Sequence, residues 1–176
     1  MNFNKDNIKI IEQKIKSIEE IISVKSILSS EGKLVAFTNG CFDILHRGHI
    51  EYLAKAAQSA DYLIVGVNSD NSVKRQNKSP ERPINNQETR CINLGALFFV
   101  DAVVVFDEDN PLKLIQAIIP NVLVKGGDYD ADEKDPTSKK YIVGSDVVNS
   151  SGGKVITIPI VEGFSTTSIV SKLKMQ

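Results

Sequence analysis

His46 and His49 are the only two histidines among 176 residues, and they stand three apart around Gly48. Imidazole exchanges a proton near neutrality, and its two ring nitrogens give it a donor whether neutral or charged. Just ahead lies an apolar run, Leu34-Val35-Ala36-Phe37, followed by Thr38-Asn39-Gly40-Cys41-Phe42-Asp43. The residues after the pair resume at helical spacing. The stretch reads as strand, tight glycine-containing turn, helix. A helix start presents unpaired N–H groups that attract phosphate, so two histidines at that junction suit the holding of a triphosphate. A His-x-x-His pair could instead be ordinary capping or surface residues, or could ligate a metal, but no third ligand is evident, and Cys41 and Cys91 are single and far apart.

Three further groups could join them. Lys125-Gly126-Gly127-Asp128 combines a point charge suited to phosphate, glycines that permit close backbone approach, and a carboxylate able to accept from a hydroxyl or a metal-bound water. Gly163-Phe164-Ser165-Thr166-Thr167 gathers three hydroxyls at a predicted helix start, where ordinary capping needs one. Between residues 71 and 86 runs a polar stretch with Pro80 and Pro83 and the cations Lys74, Arg75, Lys78 and Arg82. It reads as a mobile loop, and its 74–82 segment is expected to order over a bound triphosphate as a lid. The acidic run from Asp128 to Asp135 imitates a calcium loop. Glu133 at its sixth position and Lys139 at its twelfth argue against one.

These residues need a scaffold. Ser17 and Glu20 form a capping box, and Ile18, Ile21, Ile22 and Leu28 follow on one face, predicting a helix over 18–29. Residues 1–16 carry no clear pattern. Strands are expected at 34–37, 61–67, 102–106, 122–124 and 155–158. Helices are expected from about 48 (burying Ile50, Leu53, Ala54 and Ala57), over 87–98 (with Cys91, Leu94, Leu97 and Phe98 inward), and over 111–118, 138–149 and 165–172. The apolar 61–67 run suits a strand buried on both faces. Alternating strands and helices predict an α/β, doubly wound, Rossmann-like parallel sheet, with residues 32–176 as one domain behind an N-terminal helical extension, 1–31. Ligands of such sheets sit beyond the carboxyl ends of the strands at the topological switch point. The motifs fall after predicted strands, as does Asn68-Ser69-Asp70.

Composition narrows the class. Lys and Arg number 21 against 22 Asp and Glu, a formal charge of −1, which argues against a nucleic-acid surface. No stretch has the apolar length of a membrane span, and the N-terminus lacks a secretory pattern. Two cysteines without paired spacing point to a reducing, cytoplasmic setting.

The stretch Thr38 to Asp43 followed by His46-Arg47-Gly48-His49 resembles the phosphate-binding signature of the nucleotidyltransferase superfamily that includes the cytidylyltransferases. With Val67-Asn68-Ser69-Asp70, Arg82-Pro83, Gly95-Ala96-Leu97, Val124-Lys125-Gly126-Gly127-Asp128-Tyr129 and Ser165-Thr166-Thr167, the chain resembles the heptose 1-phosphate adenylyltransferases over roughly residues 14–172. These occur alone or as the C-terminal domain of a bifunctional ADP-heptose synthase. No sugar-kinase portion is evident, so the resemblance is to the stand-alone form.

The resemblance implies transfer of AMP from ATP to a heptose 1-phosphate, giving ADP-heptose and pyrophosphate for lipopolysaccharide core or another surface glycan. It implies catalytic roles for His46, His49, Asp43 and Lys125, with Asp43 orienting the loop or the substrate phosphate region, directly or through metal. Thr38, Asn39, Gly40, Phe42, Gly48, Gly163, Ser165, Thr166 and Thr167 would hold nucleotide and phosphate. Asn68, Asp70, Lys78, Arg82, Arg90, Gly126, Gly127 and Asp128 would serve the acceptor or the lid. Mg2+ would bind mainly through phosphate oxygens. A homodimer is implied as well.

Ile160 stands where glycerol 3-phosphate relatives that use CTP carry arginine, which favours the heptose group. The 78–82 loop is one residue longer than the family pattern, which leaves open whether Lys74 or Lys78 is the loop cation. The competing readings are a transferase acting on another polyol phosphate or a flavin phosphate, and a non-catalytic nucleotide-binding regulator.

Overall fold

The computed structural model describes residues 6–76, 79–127, 129–159, 161, 163–166 and 169. Five strands, β1 (Val35–Gly40), β2 (Tyr62–Asn68), β3 (Ala102–Phe106), β4 (Val122–Gly126) and β5 (Lys154–Ile158), form one sheet in the order β3-β2-β1-β4-β5. Every pairing is parallel. Residues 14–16 run alongside Val103 and exchange backbone hydrogen bonds with it, covering part of the outer edge of β3.

The helices are α1 (Asn7–Glu12), α2 (Ile18–Ser30), α3 (Arg47–Ala57), α4 (Asp70–Arg75), α5 (Gln87–Gly95), α6 (Leu112–Ile118) and α7 (Ser145–Ser150). Strand alternation divides the core into two layers. Ala36, Val65, Val122 and Val124 face α3 and α5 through Leu53, Ala56, Cys91 and Leu94. Phe37, Ile64 and Leu123 face the other way, against Ile21 of α2, Ile115 of α6 and Val148 of α7. This two-sided burial is the doubly wound arrangement expected of near-continuous apolar strands. Chain order reverses at β1, between β2 and β4, so the switch point lies at the carboxyl ends of β1 and β4.

Several expectations need correction. β1 continues through Thr38 and Asn39 to Gly40, so the first motif residues extend the strand instead of leaving it. Residues 70–75 are helical, not loop. Ser69 caps them by accepting from the Ser72 N–H at 3.0 Å, and Ser72 and Val73 are buried. So short and polar a helix has no apolar period to betray it. Ile50 is 41% exposed, and the buried face of α3 is Gly48, Leu53 and Ala56 instead.

The helix expected over 87–98 stops at Gly95, which presses against Ile11. Beyond it the helical phase is lost, and Phe98 is 89% exposed. The 138–149 helix begins only at Ser145. Gly144 adopts a left-handed φ of 85° where a Cβ would lie 2.7 Å from Ile115, a conformation glycine tolerates and other residues resist. Of the 165–172 helix, Thr166 and Ile169 are helical, and most of the rest, Thr167 included, lies outside the described residues.

Candidate active site

A cleft of about 900 Å3 opens over the switch point. It is lined by Asn39, Gly40, Phe42 and Asp43 from the end of β1 and its turn, and by His46, Gly48 and His49 from the start of α3. Lys125 and Gly126 enter from β4, with Ser165 and Thr166 from the C-terminal segment. Asn68 and Arg82 reach it as well. Residues up to 127 positions apart in sequence thus share one wall because the parallel sheet delivers its strand ends to one side.

The histidines are set by the helix start. His46 is the N-cap of α3, its Nδ1 accepting from the His49 N–H at 3.4 Å. That acceptor role leaves the proton of the neutral ring on Nε2. The two rings stack at 3.8 Å between centroids and 20° between planes, and Phe42 meets His49 edge-on at 5.3 Å. Gly48 permits this: a Cβ there would lie 3.1 Å from the His46 ring. Phe42 itself holds a left-handed φ of 49°, a local strain that the surrounding turn must sustain.

Burial, then repulsion from His46, lowers the His49 pKa to about 4, against an opposing backbone contribution at Ile44. Its buried Nδ1 nevertheless has no partner of hydrogen-bond geometry. Burial lowers the His46 pKa as well. Both rings are therefore neutral at pH 7, and each neutral ring carries one N–H.

Linkage follows from those shifts. A histidine whose folded pKa lies below its ordinary value of 6.5 lends stability that is fully present above pH 6.5. That stability is lost as pH falls toward 4. The Asp43 pKa lies below 3.8, so its contribution is lost only in more acid solution. Thermal melts from pH 7 to 4.5 should therefore show a falling Tm, with a shallower slope in His49→Gln. Equal slopes in the two proteins would remove His49 from the account.

Lys125 projects from β4 toward Asn39, to whose Oδ1 its Nζ donates, with the Tyr129 ring 6.0 Å away. No described carboxylate pairs with it, and burial lowers its pKa to about 8. It is a desolvated cation held by a neutral amide, still charged at pH 7.

Asp43 faces inward. Its side chain is fully buried, and its oxygens accept from Ile84 N at 2.8 Å, Asn85 N at 2.9 Å and Arg82 Nε at 2.9 Å. Burial alone would raise its pKa, but those amides and the Arg82 charge outweigh it and the carboxyl is held low. Arg90 is fully buried too, donating to Cys41 O at 2.7 Å, Asn85 O at 3.0 Å and Asp70 at 2.8 Å. Asp43 and Arg90 thus stitch the 41–43 turn to the 82–90 segment.

Not every expected residue meets the cleft. Thr38 lies beneath it, fully buried. Arg90 and Asp70 satisfy each other behind the turn, so Arg90 is neither a surface charge nor a cleft cation. Gly127 and Gly163 serve as left-handed turns, with φ of 99° and 83°. Two of the four cations expected to close over a ligand already have carboxylate partners: Arg75 pairs with Asp109 at 2.6 Å and Arg82 with Asp43. Lys78, Asp128 and Ile160 lie outside the described residues.

Sequence reasoning missed Tyr52, Gln76, Asn110, Tyr129 and Tyr141, all on the cleft wall. Tyr52 had a signal, one helical turn beyond His49 and so on the same face. The others sit where only the fold brings them.

The description Cytidylyltransferase-like matches the chain over residues 37–172. The chain is 53% identical over 164 residues to the bifunctional protein HldE of Campylobacter concisus, and 50% identical over 163 residues to that of Campylobacter jejuni. Each alignment covers 93% of the chain, and the chain spans under a third of those relatives, 31% and 32%. Among solved structures it resembles the lipopolysaccharide core biosynthesis protein of Thermoplasma volcanium. The TM-score is 0.54 and the identity 28%, over 74% of this chain and 98% of that one.

Proposed function

The chain belongs to the cytidylyltransferase-like family, and we propose that it transfers AMP from ATP to a heptose 1-phosphate, releasing pyrophosphate. The product would feed lipopolysaccharide core or another surface glycan. One observation supports this above the rest. A stacked, neutral His46–His49 pair at a helix start lines the switch-point cleft together with a desolvated Lys125 that no described carboxylate pairs. That is a donor-rich wall whose Arg82 is already paired with Asp43 and whose Lys125 is not, so a triphosphate would supply the lysine with negative charge. Identity near 50% with the HldE proteins, and the name of the Thermoplasma neighbour, support the glycan assignment.

The reaction is a single in-line displacement. An oxygen of the sugar phosphate attacks the α-phosphorus of ATP, and the bond from that phosphorus to the bridging oxygen of pyrophosphate breaks. His46 and His49 donate N–H groups to phosphoryl oxygens, and Lys125 adds a positive charge that grows in value as pyrophosphate departs. Ser165, Thr166 and the Gly163 turn hold the nucleotide. Asp43 positions the turn. Residues 32–176 would be the catalytic domain and 1–31 an N-terminal extension, whose Ile21 is fully buried in the core.

Among the described residues no three His, Cys, Asp or Glu side chains converge on a metal, and the Asp43 oxygens are already engaged. This donor set fits Mg2+ carried on triphosphate oxygens, where it would neutralise charge, and not a cage built by the protein. No described helix is long and apolar enough to cross a membrane. A homodimer in the cytoplasm completes the proposal.

Pyrophosphate release should be measured with ATP, CTP, GTP and UTP against both anomers of heptose 1-phosphate, glycerol 3-phosphate and FMN. ATP with one heptose anomer should turn over fastest. Equal or faster turnover with CTP, or with another acceptor, would overturn the assignment.

A further inference from the structure

We propose that Tyr52 is a positioning residue whose hydroxyl fixes the separation between the histidine pair and Lys125. The inference rests on reading the cleft as the site of nucleotidyl transfer. Tyr52 lies on α3, three residues beyond His49, and its ring lines the cleft. Its hydroxyl reaches two elements at once. It lies 2.6 Å from Thr38 Oγ1 on β1 and donates to Val124 O on β4 at 3.1 Å. Thr38 precedes Asn39, whose amide oxygen accepts from Lys125, and Val124 precedes Lys125 itself. One hydroxyl therefore sits where the helix bearing the histidines meets both strands that fix the lysine.

Strand alternation makes this bridge necessary. Ala36 and Val124 pack in the layer on the α3 side and Phe37 and Leu123 in the other, so by alternation Thr38 and Gly126 lie on the α3 side and Asn39 and Lys125 on the opposite one. Among the described side chains of α3, only Tyr52 hydrogen-bonds to β1 or β4. Gly126 makes room for it: a Cβ there would come within 3.0 Å of the Tyr52 ring. Burial raises the phenol pKa, so the hydroxyl keeps its proton and can accept at one lone pair while donating at the other contact.

Tyr52→Phe keeps the ring and its packing and deletes only the bridge. Thr38 Oγ1 then lacks its partner at the bottom of the site, and α3 is free to shift against β4. An ångström of misplacement can cost roughly 100-fold in rate, and a shift of a fraction of that should cost about tenfold. The effect should fall on kcat, with KM for the nucleotide within about twofold, because the hydroxyl touches protein and not ligand.

A double-mutant cycle with Lys125→Met separates positioning from general damage. Tyr52→Phe should lower kcat about tenfold in the otherwise native protein and less than about twofold when Lys125 is already gone. Equal losses in both backgrounds, or no loss in the first, would overturn the proposal. The cycle is run on whichever nucleotide and acceptor the native protein prefers, so a failed heptose assignment does not decide it. A second readout needs no turnover: the titration of the Lys125 13Cε resonance. Tyr52→Phe should move its midpoint upward as water reaches the end of β4. If the native protein turns over nothing, a moved midpoint upholds the positioning role while the catalytic reading fails. An unmoved midpoint overturns the positioning role as well.

Discussion

His46→Ala and His49→Ala are each expected to lower kcat by roughly 10²–10³, the usual cost, about 2.7–4 kcal/mol, of losing one transition-state donor. The chain should remain folded in both. His46 has a second task as the N-cap of α3. Its alanine variant therefore also loses about 1 kcal/mol of stability. His46→Asn keeps an acceptor for the His49 N–H and so removes the cleft-facing donor with the cap preserved. A rate loss in the asparagine variant as large as in the alanine one would assign the loss to Nε2–H. The rings stack at 3.8 Å, so they form one surface. Removing both should then cost little more than removing one, since groups that act as a unit are not additive. Steady-state kinetics on variants shown folded by circular dichroism decide the matter. Near-native kcat in both single variants would make the pair a structural device.

The parts legible in the sequence were those with a period or a motif. The β2 run from Tyr62 to Asn68 is apolar throughout because both of its faces are covered, and the Ser17–Glu20 capping box marked α2 to within one residue. Strand ends then placed Asn39, His46, His49 and Lys125 together by topology alone. What stayed hidden was direction and partnership. Nothing in the composition of the 71–86 stretch separates a cation aimed at a ligand from one already satisfied. In the fold, Arg75 spends its charge on Asp109, Arg82 on Asp43 and Arg90 on Asp70. Those carboxylates lie 34, 39 and 20 residues away in sequence, beyond the reach of any local pattern. Lys125 differs because, among the described residues, burial leaves it beside neutral groups.

Arg90→Met is expected to destabilise the chain by about 3–5 kcal/mol and to abolish most turnover, although Arg90 touches neither cleft nor ligand. Its guanidinium is wholly buried, and its nitrogens serve the Cys41 carbonyl, the Asn85 carbonyl and the Asp70 carboxylate. Methionine fills much of the space but leaves two carbonyls without donors. Each unsatisfied buried group costs roughly 1–3 kcal/mol. Asp70 contributes less to the loss, since its side chain is 29% exposed and water can replace the partner. Total stability for a domain of this size is about 5–15 kcal/mol, so the variant should still fold at 25 °C with a much lowered urea midpoint. The rate effect has a distinct origin. Cys41 precedes Phe42, whose left-handed φ of 49° is held by the turn that Arg90 and Asp43 secure from two sides. Released from one side, that turn can relax, and Phe42 no longer braces His49. Arg90→Lys tests the geometry. One ammonium cannot reproduce a planar fork that spans three acceptors, so lysine should recover less than half of the lost stability. Urea denaturation of the native protein, Arg90→Lys and Arg90→Met gives the comparison. A loss below about 1 kcal/mol in the methionine variant would show that the turn holds its shape without the clamp.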